Sequence, residues 1–194
     1  MRPFLAALRS SFMLLLVMTV LLGAVYPLAV TVMAQTLFHH RANGSLIERG
    51  GKVIGSRWLG QQFESPKYFW GRLSATTPPY NAANSSGSNL NPANSKVIEA
   101  ANARIAALQK ADPDNHARIP VDLVTASASG LDPHISLQAV RYQIHRVARA
   151  RGMKDDDLQE IVEKYTESQF FGALGGPYVN VLELNIALDD LKKK

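Results

Sequence analysis

From Ser10 to Phe38 the chain runs 29 residues without an Asp, Glu, Lys, Arg or His. The densest part, Phe12 to Met33, reads FMLLLVMTVLLGAVYPLAVTVM. A bilayer core takes about 20 apolar helical residues to cross. A single charge at its centre costs about 2.5–3.5 kcal/mol on insertion scales, so an uncharged run of this length selects for membrane. The competing reading is a cleaved signal peptide, with Arg2 and Arg9 as the basic head and Val32-Met33-Ala34 as the cleavage site. Signal cores span about 7–15 residues, and this one is longer, which favours an uncleaved anchor.

The expected organisation is therefore a cytoplasmic tail at 1–9, a transmembrane helix at 10–38 and a domain at 39–194. Charge counting does not fix the orientation, because Arg2 and Arg9 precede the span while Arg41, Arg49, Lys52 and Arg57 follow it within about 20 residues. A short basic head before a first hydrophobic segment favours a cytoplasmic N-terminus and an extracytoplasmic domain. Within the span, Pro27 removes an amide donor and frees the Gly23 carbonyl. Thr19 and Gly23 form a small-x-x-x-small pair that admits a second backbone. A lone helix with a mild kink is the plainer reading. The expected contacts in the span are membrane lipid and partner helices through Thr19, Gly23 and Pro27.

The rest reads as one α+β domain. Ser45–Glu48 and Lys52–Ile54 around Gly50-Gly51 predict a hairpin. Phe63 to Trp70 is an aromatic stretch, read as half-buried packing, with a sugar platform as the sharper alternative. Ser74 to Asn94 is long and uncharged, rich in Asn, Ser and Pro. Such side chains hydrogen-bond their own backbone, so the segment can be an ordered docking loop instead of a floppy linker. Asn91-Pro92 predicts a helix start, with Val97, Ile98, Ala101, Ile105 and Leu108 at helical spacing, ending near Asp112-Pro113. Asp122–Gly130 is built of small residues and suits close packing or a turn. Asp132-Pro133 predicts a helix running to Arg151 and stopped by Gly152. Leu137, Val140, Ile144, Val147 and Ala148 mark its inner face, and Arg141, His145 and Arg149 a basic stripe. Asp155–Asp157 predict a third helix. A break at 172–177, a strand at Val179–Leu184 and a short helix at Ile186–Leu191 close the chain.

Chemical signatures are missing. There is no G-x-x-x-x-G-K-[ST] or G-x-G-x-x-G for a nucleotide, and no G-x-S-x-G or S-x-x-K for a serine nucleophile. No Cys is present, which removes thiolate nucleophiles, disulfides and Cys-ligated zinc. His134 and His145, on one expected helix, stand about 16 Å apart and cannot share an ion. Asp112, Asp114 and Asn115 lack the later bidentate Glu of a calcium loop, since position 123 is Leu. The net charge of +5 includes three terminal lysines, and no basic patch with interleaved aromatics suggests nucleic acid. No catalytic residue and no firmly bound cofactor or metal is expected.

Several short pieces, in order, carry a resemblance. They are Tyr26-Pro27-Leu28; Gly55-Ser56 with Leu59-Gly60-Gln61 and Phe63; Tyr80-Asn81; and Ser86-Gly87-Ser88-Asn89-Leu90. Asp122 to Ser127 follows, then Ser129-Gly130-Leu131-Asp132, Gln143 with Arg146-Val147-Ala148 and Arg151, and Val179 to Leu182 with Leu184-Asn185. Their order and spacing over nearly the whole chain resemble the C subunit family of the bacterial Kdp potassium-transporting P-type ATPase. Leu73 and Asn91 depart from that pattern, where Pro and Gly are usual. The resemblance implies one span in the inner (plasma) membrane and a domain on the periplasmic side. It implies partnership with a channel-like A subunit, a phosphorylated B subunit and a small F subunit. ATP and K⁺ would be handled by that complex, with this chain a non-catalytic accessory subunit for assembly and stability. The family is also credited with assisting ATP binding through the Gln of a Q-x-x-R-V-A helix, here Gln143 with Arg146 beside it. The expected orientation puts Gln143 across the membrane from cytosolic ATP. Tyr80, Asn81, Ser88 and Asn89 are the expected partner contacts of the polar loop. The alternative function is a membrane-anchored extracytoplasmic cell-wall-binding protein or enzyme, for which no catalytic dyad is found.

Overall fold

The computed structural model describes residues 2–167 and 175–191. It divides into two compact units, Met1–Leu46 and Ile47–Lys194.

The first unit is helical from the second residue on. Helix α1 spans Arg2–Val20, a π-helical turn occupies Leu21–Val25, and α2 spans Tyr26–Leu37. Residues Pro3–Leu37 form a helix long and apolar enough to cross a membrane, with none of its most apolar window buried. Helical backbone begins at Arg2, ahead of the apolar run, and Pro3 sits at its open end, where a missing proline donor costs nothing. The widened turn accommodates Pro27. The Tyr26 amide reaches back five residues to the Leu21 carbonyl, and the proline ring follows at the start of α2. Phe38 ends α2, and the short α3 (His39–Ala42) turns the corner. Asn43 ties that corner by donating to the Gln35 side chain (3.0 Å) and to the His39 carbonyl (2.8 Å).

The expected hairpin follows, β1 (Leu46–Arg49) and β2 (Lys52–Ser56). Gly50 and Gly51 take φ of +59° and +74°, the left-handed geometry a two-residue hairpin turn needs. An extended segment follows to residue 94. Helix α4 (Ser95–Ala111) starts at Asn94, whose side chain accepts from the Lys96 amide, and not at Asn91 as expected. Asn91 instead closes a local turn with the Ala93 amide, the competing use of such a residue.

Asp132-Pro133 does not open a helix. The Asp132 carboxylate turns the chain by accepting from the His134 amide, and residues His134–Ser136 form strand β3. Ser136 then caps α5 (Leu137–Arg151), and Gly152, at φ +69°, ends it as expected. Helix α6 (Asp155–Lys164) has its three aspartates in the first turn. Strand β4 is Thr166–Glu167, and the chain expected to break at 172–177 is described only from Gly175. Strand β5 is Tyr178–Asn180 alone, and α7 (Val181–Leu191) begins where a strand was expected. Asn180 decides the switch, because its side chain accepts from the Glu183 amide and caps the helix. Strands β3, β5 and β4 form one antiparallel sheet in that order, with Ile135 opposite Val179 and Thr166 opposite Val179.

Helix α5 is the centre of this unit. Val140, Ile144, Val147 and Ala148 are buried against Leu123, Leu158, Val162, Val179, Leu184 and Leu188. Each such leucine removed from water contributes about 1.5–3 kcal/mol. Phe69 and Trp70 join the same core, so the aromatic stretch is packing and not an open platform.

Candidate functional site

The residues singled out for chemistry lie inside the body. Gln143 is 1% exposed, and all four hydrogen-bonding positions of its amide are taken. Its Oε1 accepts from the Trp70 amide (2.8 Å) and from Arg146 Nη2 (2.6 Å). Its Nε2 donates to the Trp70 carbonyl (3.1 Å) and to the Ala139 carbonyl (3.2 Å). The side chain thus pairs with the Trp70 backbone as a neighbouring strand would.

Arg146 is also held inside the body, 2% exposed. Its guanidinium donates to the Pro66 carbonyl (2.6 Å), the Tyr68 carbonyl (3.1 Å) and Gln143. It also lies over one side of the Trp70 ring at 4.4 Å, with Arg104 stacked on that ring at 4.8 Å. Burial, and next the charge of Arg104, pull the Arg146 pKa down to about 10, which still leaves it charged at neutral pH. Arg104 itself donates to the Leu123 and Gly71 carbonyls. The buried Arg146 and the half-buried Arg104 are thereby satisfied mainly by backbone carbonyls, at Pro66, Tyr68 and Gly71 in the extended segment and at Leu123.

Two further amides repeat the device, and sequence reasoning missed them. Asn185 accepts from the Phe69 amide (2.9 Å) and donates to the Phe69 carbonyl (3.0 Å). Asn180 donates to the Arg57 carbonyl (2.7 Å). Gln143, Asn180 and Asn185 together hold the 57–70 segment, which has no strand partner there to pair its backbone. The signal available was a pair of asparagines set in the mainly apolar run VNVLELN, with Glu183 its one charge.

The polar loop at 74–94 is ordered against residues 126–132. The Ser86 amide and the Ser85 hydroxyl both donate to the Ser129 carbonyl (2.9 and 3.0 Å). Leu73 bridges Ala126. Tyr80, at φ +59°, presents its hydroxyl to the Arg72 carbonyl (2.6 Å) and its ring to Gly60. A β-carbon at Gly60 would collide with that ring and meet the Asp132 carbonyl at 2.8 Å. Asn81 folds its own turn, accepting from the Ala83 amide and donating to the Thr77 carbonyl. Tyr80 and Asn81 therefore shape the loop, while Ser88 and Asn89 stand exposed on it. Thr19, Gly23 and Pro27 are exposed along the first unit, and nothing lies within 4 Å of a β-carbon built at Gly23.

The basic stripe is only partly solvated. Arg149 pairs with Asp114 (3.2 Å) and approaches the buried Asp112 (3.6 Å), and His145 lies 3.3 Å from Asp155. His134 is not on α5 at all. It sits in β3, edge-on to Tyr178 (4.8 Å) and 3.4 Å from Asp132. No cluster of three or more potential metal ligands occurs among the described residues.

Comparison with known proteins matches this arrangement to one family. The model of the family described as "KdpC: K+-transporting ATPase, c chain" matches residues 8–190. The chain is similar to the potassium-transporting ATPase KdpC subunit of Herpetosiphon aurantiacus, 57% identical over 192 residues, covering 98% of this chain and 96% of the relative. It is 54% identical to the Ralstonia nicotianae subunit over 95% of this chain and 91% of the relative. It is also 54% identical to that of Sorangium cellulosum, over 95% and 98%. The cell-wall alternative finds no support among these relatives. With its apolar N-terminal helix and its α+β body, the chain belongs to the KdpC family, the c chain of the K⁺-transporting ATPase.

Proposed function

We propose that this chain is a membrane-anchored, non-catalytic subunit that assembles and stabilises an ATP-driven K⁺-uptake complex. The helix at Pro3–Leu37 spans the inner membrane with its N-terminus in the cytoplasm, and the body lies on the far side. Its partners are a channel-like A subunit, a P-type ATPase B subunit and a small F subunit, which handle K⁺ and ATP. Thr19, Gly23 and Pro27 face partner helices, and the exposed Ser88 and Asn89 end of the polar loop docks on a partner.

The observation that carries this reading is the occupation of Gln143. A side chain 1% exposed, with its four hydrogen bonds made internally, has no capacity left for a nucleotide. Gln143 and Arg146 act by holding the 57–70 segment and the Trp70 ring, and so the shape of the body. Any effect of these residues on ATP use by the complex is transmitted through assembly.

Affinity purification of the complex from cells carrying Asn81→Asp and Asn89→Asp tests the docking. The expected result is loss of subunits from the detergent-purified complex, through a disturbed loop at Asn81 and a charge at the exposed Asn89. Unchanged stoichiometry overturns the loop's role.

A further inference from the structure

An open groove of about 810 Å³ runs between the 114–120 loop and the outer face of α5. Arg118, Arg141 and His116 line it, are exposed, and have no ion-pair partner among the described residues. The only acid on its wall, Asp114, is already held by Arg149. The groove is therefore positively charged and uncompensated. It is also rigid: Asn115 donates to the Tyr142 carbonyl (2.9 Å), accepts from the Ala117 amide (3.1 Å) and donates its own amide to the Asp112 carbonyl (3.2 Å). Arg141 and Gln138 stand one helical turn apart along α5. A second trough of about 680 Å³ shares Pro120 and Gln138 with the first and leads to Val121, 71% exposed, and Tyr178. Its two carboxylates are already engaged, Asp122 accepting from the Ser136 amide (2.8 Å) and Asp132 pairing with Arg72 (3.2 Å).

We propose that these two adjoining grooves are a docking site for an extended acidic segment of a partner subunit. The segment sets carboxylates against Arg118 and Arg141 and an apolar side chain beside Val121 and Tyr178. Guanidinium groups favour planar oxyanions, and two of them on one wall fix the polarity of the bound chain. A lone phosphate in so open a groove keeps most of its water, and its attraction is screened by salt. A lipid surface calls for projecting apolar residues on a flat or convex basic face, whereas this face is concave. The proposal rests on the accessory-subunit reading, since it requires a protein partner.

The test uses the intact complex with Gln138, exposed and uncharged, replaced by a photo-cross-linking benzoylphenylalanine. After irradiation, the attached peptide is identified by mass spectrometry. The expected adduct is a segment of another subunit with at least two acidic residues near the attachment point. Adding Arg118→Gln and Arg141→Gln should lower its yield about fivefold or more, while Lys96→Gln with Lys164→Gln, which removes the same charge elsewhere, leaves it unchanged. A lipid adduct, an intact complex without a protein adduct, or equal loss in both charge variants overturns the groove as an acidic-segment site. Failure of the unsubstituted chain to co-purify with other subunits overturns the accessory reading instead.

Discussion

Helix α1–α2 and helix α5 have similar regularity and opposite surroundings. Between Pro3 and Leu37 almost every side chain is exposed, and the helix makes its hydrogen bonds to itself. In α5 eight of fifteen residues are buried, including Gln143 and Arg146. One helix is apolar on every side and has the length and composition to cross a bilayer, with almost no side chain packed against the rest of its unit. The other is specified by its neighbours along its buried face, and only its outer side, with Gln138 and Arg141, is left for other molecules. Polar residues therefore mean different things in the two. Thr19 in the first is an open surface, whereas Gln143 in the second is a structural joint.

The largest effect should come from that joint. Gln143→Ala leaves the Trp70 amide and carbonyl buried without partners and removes a contact of Arg146. Each stranded group costs about 1–3 kcal/mol, so a loss of about 3–5 kcal/mol is expected for the full chain in detergent, read by urea unfolding. In the assembled complex, the apparent KM for ATP should change only in proportion to lost assembly. A fully assembled complex with a raised KM would break the contrast.

Gly60→Val comes next. Its side chain meets the Tyr80 ring and the Asp132 carbonyl, and overpacking of this kind costs about 1–3 kcal/mol. Limited proteolysis should then cut within 74–94 faster than in the parent chain, whose loop is expected to resist cleavage.

A smaller, pH-dependent effect is expected at Asp189. Burial raises its pKa, but the hydrogen bonds from Tyr68 and Arg151 outweigh that and hold it below the ordinary carboxylate value. A depressed folded pKa means stability present above the unfolded value and lost as pH falls through the folded one. Urea midpoints of the parent should drop below about pH 4, and Asp189→Asn should flatten that slope. An unchanged slope would remove the assignment.

The smallest effect on the body should come from Gly23→Val. It should reduce the yield of assembled complex while shifting the body's unfolding by less than about 0.5 kcal/mol, since it lies outside that unit.

These contrasts were unevenly legible in the sequence. The long apolar helix announced itself, because the requirement is composition and length and no partner is involved. So did the hairpin, α5's inner face and the Gly152 stop, which follow from periodicity and backbone geometry. Residues 132–136 and 178–184 were misread. There a side chain, Asp132 or Asn180, captured a nearby amide and overrode the local pattern. The amide clamp was not readable either. Gln143 and Trp70 are 73 positions apart, and nothing local shows that a backbone lacking a strand partner needs that side chain. The π-helical turn before Pro27 was likewise hidden, since the sequence shows the missing donor and not the bond that replaces it.

The central claim is that the span keeps the body, with Gln143 in its core, away from cytosolic ATP. The chain has no cysteine, and Lys154 is exposed at the start of α6, so Lys154→Cys gives one reporting thiol. In intact cells with a permeabilised outer layer, a membrane-impermeant thiol reagent should label it fully. Protection that disappears only on lysis would place the body in the cytosol and contradict the account.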